Sequence, residues 1–210
     1  MKKELFFFFA ALSILALSCK KNTDDPVPTA QADYFQLKVG NYWIFEGFHV
    51  DSNNVATSTG KFDSAYIEKD TLIRGFTWYK RYEMPYVLGF LHFPTYIRDS
   101  SGYLVTREGY ILASDFNFTD TLDVDTTNRQ LYSGYTRMTG KDSLVSNEFG
   151  DPVQSITSRK QVVPTPPSNL PIRYTYEVYG KGIGKIKTHG FYFSGYGPKL
   201  EARLVRYKVD

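Results

Sequence analysis

From Tyr34 onward, apolar positions come in short runs that alternate with polar ones and are broken by turn-forming residues. No stretch carries the three-to-four-residue spacing of an amphipathic helix. The runs predict strands at Tyr42–Val50, Phe62–Lys69, Phe76–Glu83, Thr95–Asp99, Tyr103–Arg107 and Tyr110–Ala113. More follow at Leu131–Met138, Gln154–Val163, Arg173–Tyr179, Gly184–Thr188 and Leu200–Val209. Asp51-Ser52-Asn53-Asn54, Asp99-Ser100-Ser101-Gly102 and Ser194-Gly195-Tyr196-Gly197-Pro198 supply residues that tolerate turn geometry between them. Consecutive antiparallel pairing is the economical topology. The expected fold is therefore all-β, an antiparallel, strongly curved sheet or partly closed barrel of about ten strands joined mainly as consecutive hairpins.

Alternation within the strands is imperfect. Trp43 and Phe45 fall on one face of the first strand while Tyr42, Ile44, Phe48 and Val50 fall on the other, so both faces are expected to be covered. The apolar face of the last strand switches between Leu204 and Val205, which marks a bulge. The run Pro164–Pro171 has too many prolines for a central strand and reads as a stiff surface loop. Trp43, Phe45 and Trp78 are the expected core anchors, and an interior filled by aromatic side chains, with at most a shallow cleft beside the Pro164 loop, is the simplest outcome.

Ahead of this domain, Lys2 and Lys3 precede an apolar run from Leu5 to Leu17 interrupted only by Ser13, and the single cysteine, Cys19, follows. Ala16-Leu17-Ser18-Cys19 resembles the lipobox of bacterial lipoprotein precursors. That resemblance implies cleavage before Cys19 and acylation of the cysteine with palmitate-type chains. A helix needs roughly 20 apolar residues to cross a bilayer, so the mature chain is expected to be anchored through Cys19 and not inserted. The organisation predicted is a signal peptide at 1–18, the lipidated cysteine with a flexible tether at 19–33, and a single β-domain at 34–210.

Composition narrows the class further. The net charge is +3 and the basic residues are scattered, which gives no nucleic-acid footprint. The excess is aromatic, with 17 Tyr, 16 Phe and 2 Trp, and such side chains favour pleated sheets. With one cysteine, no disulfide can form within the chain, which fits export in a bacterium better than secretion from a eukaryote.

Asp33-Tyr34-Phe35-Gln36-Leu37-Lys38-Val39-Gly40-Asn41-Tyr42-Trp43 resembles the opening of a group of uncharacterised envelope lipoproteins from Bacteroidota. In that group the folded part begins with Tyr-Phe-Pro-Leu, a spacer and Gly-Asn-x-Trp; here Gln36 stands in place of Pro. The likeness continues at Asp70–Tyr79, at Tyr96–Asp99 with Gly102-Tyr103, and at Ser114–Phe118 with Asp120–Leu122. It returns at Tyr179-Gly180-Lys181-Gly182-Ile183-Gly184 and at Leu204–Tyr207. It implies an envelope lipoprotein with an all-β domain and brings no catalytic residues with it.

Candidate chemistry is sparse. His49, His92 and His189 are far apart without metal-type spacing, so no catalytic set is expected. Asp115, Asp120, Asp123 and Asp125 crowd one stretch but miss the EF-hand pattern, and read as a solvated turn; no metal or cofactor is expected. Gly180-x-Gly182-x-Gly184 precedes a strand, not a helix N-terminus, so a turn or bulge is expected instead of a phosphate loop. Asp followed by Ser or Thr and then an aliphatic residue or Thr resembles the O-glycosylation acceptor of exported Bacteroidota proteins. It marks Ser64, Thr71, Thr121, Thr126 and Ser143, although Asp-Ser and Asp-Thr also start turns.

The reading is a non-enzymatic, lipid-anchored envelope protein that binds a ligand or supports an assembly. The outer membrane is the expected address, with an envelope protein, glycan or lipid as partner. A half-barrel carrier of an acyl chain is the alternative, and an envelope glycan hydrolase comes third.

Overall fold

The computed structural model describes residues 33–83, 94–146, 152–191 and 199–210, with the side chains of 142–146 left aside. Residues 1–32, with Cys19 and the expected signal peptide and most of the expected tether, lie outside the described residues, as do His92 and the expected turn at Ser194–Pro198. Among the described residues twelve strands follow one another along the chain. They are β1 (Tyr42–Val50), β2 (Ala56–Ile73), β3 (Phe76–Glu83), β4 (Thr95–Asp99), β5 (Tyr103–Thr106) and β6 (Ile111–Ser114). β7 (Asp123–Asp125), β8 (Tyr132–Ser146), β9 (Pro152–Pro164), β10 (Arg173–Gly180), β11 (Gly184–Gly190) and β12 (Lys199–Lys208) complete the set.

All twelve belong to one antiparallel sheet in the order β6-β5-β4-β3-β2-β1-β12-β11-β10-β9-β8-β7. Every neighbour is a chain neighbour except β1 and β12, which pair from Tyr42↔Lys208 to Val50↔Lys199 and curl the sheet into a nearly closed barrel. The register of that ladder shifts where Phe45 pairs with Leu204 after Ile44 pairs with Arg206, so Val205 is the bulged residue. This is where the apolar pattern of β12 changes face.

The other join is different in kind. β6 and β7 are the two edges of the sheet and share no ladder. Side chains bridge the gap instead: Ser158 Oγ donates to Leu112 O at 2.6 Å, and the Asp123 carboxylate accepts the Ile111 N–H. Edges held in this way are shielded from pairing with another chain.

In a meander, successive connections alternate between the two ends of the barrel. The chain enters at the end that carries the β10–β11 turn, where Gly182 N–H donates to Asp33 O at 2.9 Å. Tyr34 and Phe35 are 4% and 6% exposed and pack with Ile97, Leu104, Ala113, Met138, Ile156 and Tyr179. These come from six strands, so the entering segment sits inside the barrel and plugs this end. Phe35 meets the Tyr179 ring edge-on at 5.6 Å between centroids.

Trp43, Phe45 and Ile67 form a second cluster with Ile183, Ile186 and Leu204. The Trp43 indole Nε1 donates to Ile183 O at 2.6 Å. A Cβ on Gly184, whose φ is +92°, would come within 2.9 Å of that indole. The glycine run of the β10–β11 turn and the Gly40-Asn41-Tyr42-Trp43 opening are thus two sides of one contact. Asn41, fully buried, donates to Gln36 O and accepts Asp210 N–H, fastening the far end of the chain to the entry loop.

Trp78 is buried too, but in neither cluster: Arg98 lies over its ring at 5.1 Å and over Phe76 at 4.3 Å.

Candidate functional site

An eight-stranded barrel is just wide enough to be filled by side chains, whereas sixteen strands leave a channel. Twelve fall between. The interior is accordingly not filled, contrary to the expectation from aromatic content. A cavity of about 510 Å³ lies at the end opposite the plug. The inner faces of β8 to β11 supply Thr136, Ser158, Lys160, Thr175, Glu177 and Thr188, and β6 supplies Ile111 and Leu112. It opens between the β5–β6 and β7–β8 connections, where Tyr110, Thr127 and Asn128 are exposed. The Pro164–Pro171 run adds no wall residue; Thr165 ties it to the carbonyls of Arg129 and Leu131.

At the mouth, Lys160 Nζ meets Asp125 Oδ2 at 2.7 Å, and Asp125 Oδ1 accepts Thr127 N–H at 3.0 Å. Burial works against charge on Asp125, but these hydrogen bonds outweigh it and hold the carboxyl at about 2. Asp123, two residues earlier, goes the other way. Burial raises it despite Lys160, and its carboxylate accepts Ile111 and Val124 N–H groups.

Deeper in, residues from opposite walls converge. Lys185 Nζ on β11 reaches Glu83 Oε1 on β3 at 2.9 Å and Glu177 Oε1 on β10 at 2.8 Å. Tyr179 O–H donates to the other Glu177 oxygen, and Arg81 Nε stands 3.3 Å from Glu83. Burial would favour neutral acids here. Arg81 and Lys185 prevail and hold Glu83 at about 2, and Lys185 with the Tyr179 hydroxyl keeps Glu177 below its usual value. Lys185 is 10% exposed, yet the two carboxylate side chains keep 34% and 32% of their surface open. Glu177 faces the cavity.

A shallower groove of about 350 Å³ lies on the other face of β10 and β11, lined by Tyr176, Val178, Lys187, His189 and Glu201 among others, residues that alternate with Glu177 and Thr188 of the cavity wall. Burial lowers the pKa of His189 against the pull of Glu201, so the ring is neutral near pH 7. Both of its nitrogens are buried and lack a hydrogen-bond partner.

Trp43, Phe45 and Trp78 are buried away from the cavity wall. Ser64 and Thr71 lie in β2 opposite Ile44 and Trp78, and Ser143 lies in β8 opposite Ser155. Thr121 Oγ1 accepts Arg137 Nε–H at 2.8 Å in the β6–β7 connection, and Thr126 sits in the β7–β8 connection beside the mouth. These five are not brought together. Asp123 and Asp125 form β7, while Asp115 and Asp120 stay in the connection before it. Among the described residues no three His, Cys, Asp or Glu side chains gather as a metal site. Sequence reasoning missed Lys160, Glu177 and Lys185. Their signal was a charge at an alternate position within an otherwise covered strand.

The fold has been seen before. A chain from Parabacteroides distasonis ATCC 8503 described as a lipoprotein superposes with a TM-score of 0.52 at 12% identity, over 83% of this chain and 98% of that one. What the two share at that identity is the fold. A chain from Bacteroides fragilis NCTC 9343 described as an exported protein with a YmcC-like fold aligns over the same shares at 12% identity, with a TM-score of 0.44. No protein-family model and no curated protein matches the sequence.

Proposed function

We propose that this chain is a lipid-anchored protein of a bacterial envelope, expected at the outer membrane, that binds a small ligand in its barrel without transforming it. The observation that carries the reading is the cavity of about 510 Å³ with one open end. Ligand pockets fall between roughly 300 and 1,000 Å³. The lipobox-like Ala16–Cys19 segment and the description of the P. distasonis fold neighbour as a lipoprotein support the address.

A glycan hydrolase fits the geometry less well. Its acid must be a carboxyl kept protonated near neutrality, whereas Glu83 and Glu177 share one lysine and both stay ionised. Asp123 is raised, but backbone N–H groups of the β6–β7 join occupy its oxygens. An acyl-chain carrier would use the same cavity, but its fatty carboxylate would face Asp123, Asp125 and Glu177 with Lys160 the one lysine in the wall.

Native mass spectrometry of the full-length chain purified from a Bacteroidota host tests the reading. A small molecule retained at one copy per chain is expected, and it should be lost when Thr188→Trp fills the cavity. A bare chain, or a molecule retained equally by both proteins, refutes it. Cys19→Ala tests the address, since a processed variant still sedimenting with membranes at the wild-type level contradicts lipid anchoring.

A further inference from the structure

We infer that the plugged end of the barrel makes a second contact with the lipid bilayer, through the tip of the β2–β3 hairpin, and this rests on the reading of Cys19 as a lipid anchor. The local sequence builds a stiff point. Arg74 and Gly75 take φ values of +52° and +82°, the mirror-image turn that suits a two-residue hairpin. The ladder behind it pairs Ile73 with Phe76, Leu72 with Thr77 and Thr71 with Trp78. Among the described residues, β1 and the loop before it reach β2 only as far as Ile67, whose carbonyl accepts the Gly40 N–H. Residues 68–73 therefore run on past the rim, about 20 Å at the usual rise of a strand.

The apolar residues of this overhang are not buried by the fold. Leu72 is 73% exposed and Phe76 is 52% exposed, and they fall on opposite faces of the ribbon. Arg98 covers part of the Phe76 ring from the barrel side. Val39, also exposed, stands beside the root of the overhang. Exposed Phe116 continues the same arc of the rim, because the Asp115 N–H in the β6–β7 connection donates to Gly102 O in the β4–β5 turn. Apolar side chains gathered at one end of a molecule mark a surface that meets another phase or partner.

The position of the tip selects the bilayer. β1 leaves the plugged end and β2 returns to it, so the β2–β3 turn lies at the end where the chain enters at Asp33. A chain spans at most about 3.6 Å per residue, which keeps Asp33 within about 50 Å of Cys19. Anchoring through Cys19 makes the contact intramolecular, so a tip of weak intrinsic affinity is enough. Leu and Phe flanked by Lys69 and Arg74 are the side chains that interfacial segments use. The exposed charges nearby are mixed in sign, Lys38, Lys69 and Arg74 with Asp70, Asp99 and Asp120, so apolar insertion and not charge is the attraction. Strand addition by a second copy is disfavoured by Glu68, Lys69 and Asp70, three successive charges on the overhanging edge.

The experiment places the full-length chain, purified with its anchor, on phosphatidylcholine vesicles whose acyl chains carry bromine, a contact quencher of tryptophan. Two reporters are compared, Phe76→Trp at the tip and Leu170→Trp on the exposed loop at the opposite end, each against the wild-type signal of Trp43 and Trp78. Quenching of the first reporter and not of the second, unchanged by added salt, supports the inference. Adding Leu72→Asp should lower the docked-to-undocked ratio at least about tenfold, the scale for returning one large apolar side chain to water. It should leave the melting temperature unchanged, because Leu72 is exposed.

Vesicle-bound chain with equal quenching at the two positions, with none at either, or with a ratio that Leu72→Asp does not move overturns the docking and leaves the anchor in place. A Phe76→Trp reporter shielded in detergent in proportion to protein concentration shows a second copy on the hairpin and overturns it too. A wild-type chain that stays off the vesicles removes the anchor, and the docking falls with it.

Discussion

The plugged end of the barrel and its open end are made by the same strands, yet they are built on opposite principles. At the plug, Tyr34, Phe35, Trp43 and Ile183 are at most 8% exposed, and a glycine is needed merely to let the indole approach the β10–β11 turn. At the mouth, Lys160 and Asp125 face a cavity. Close packing stabilises and voids forfeit contacts. Concentrating the packing at one end leaves the other free to be shaped by a ligand.

The largest expected effect lies at the plug. Trp43→Ala removes a buried indole and its hydrogen bond to Ile183 O, and should cost about 3 to 5 kcal/mol in chemical denaturation. If the loss is below about 1 kcal/mol, the plug is not the stabilising end and the contrast fails. Lys185→Met probes the layer between the two ends. It leaves Glu83 and Glu177 facing each other without their shared cation. A loss of about 3 kcal/mol is expected, the low side of the range for breaking a buried ion pair because both carboxylates keep some solvent.

Acid should separate these charges from the apolar plug. Glu83 and Asp125 are held at about 2, below their ordinary values of 4.5 and 3.8. A carboxyl with a lowered folded-state pKa contributes stability that is complete above its unfolded value and is lost as pH falls through the folded one. Denaturation midpoints should therefore hold steady above about pH 5 and drop between about pH 4.5 and 2. Lys160→Met should remove the Asp125 share of that drop, and an unchanged profile would show that the pair contributes nothing. The smallest effect is at the rim. Asn128→Ala, on an exposed turn, should change stability by less than about 0.5 kcal/mol while altering ligand affinity.

Much of this architecture was legible in the order of residues. The limits of β1, β3 and β4 follow from apolar alternation bounded by turn residues, and the bulge at Val205 from the change of face. β2 begins at Ala56, earlier than the pattern indicates, because Ser58, Gly60 and Lys61 are exposed, with no burial to mark them, and Gly60 and Lys61 fall where the β1–β2 register shifts. β7 escapes notice because Asp123-Val124-Asp125 has a single apolar residue, and that residue is 50% exposed. The hollow was illegible for a different reason. Interior volume depends on how many strands close the ring and on their stagger, and neither is a property of any one segment. The ionic layer was hidden likewise: Glu83, Glu177 and Lys185 meet only once β3 and β11 face each other across the barrel.

The pairing of β1 with β12 also sets the order in which the molecule can assemble. β1 is Tyr42–Val50 and its partner is Lys199–Lys208, so the ladder that closes the ring must wait for nearly the whole chain. Ladders between chain neighbours can form early, whereas loop-closure entropy makes a pairing of such long range slow. Until it forms, β1 has one unpaired edge carrying Trp43 and Phe45, a surface on which a second copy could add a strand. Exported chains with this topology therefore need to be kept apart until their last strand arrives.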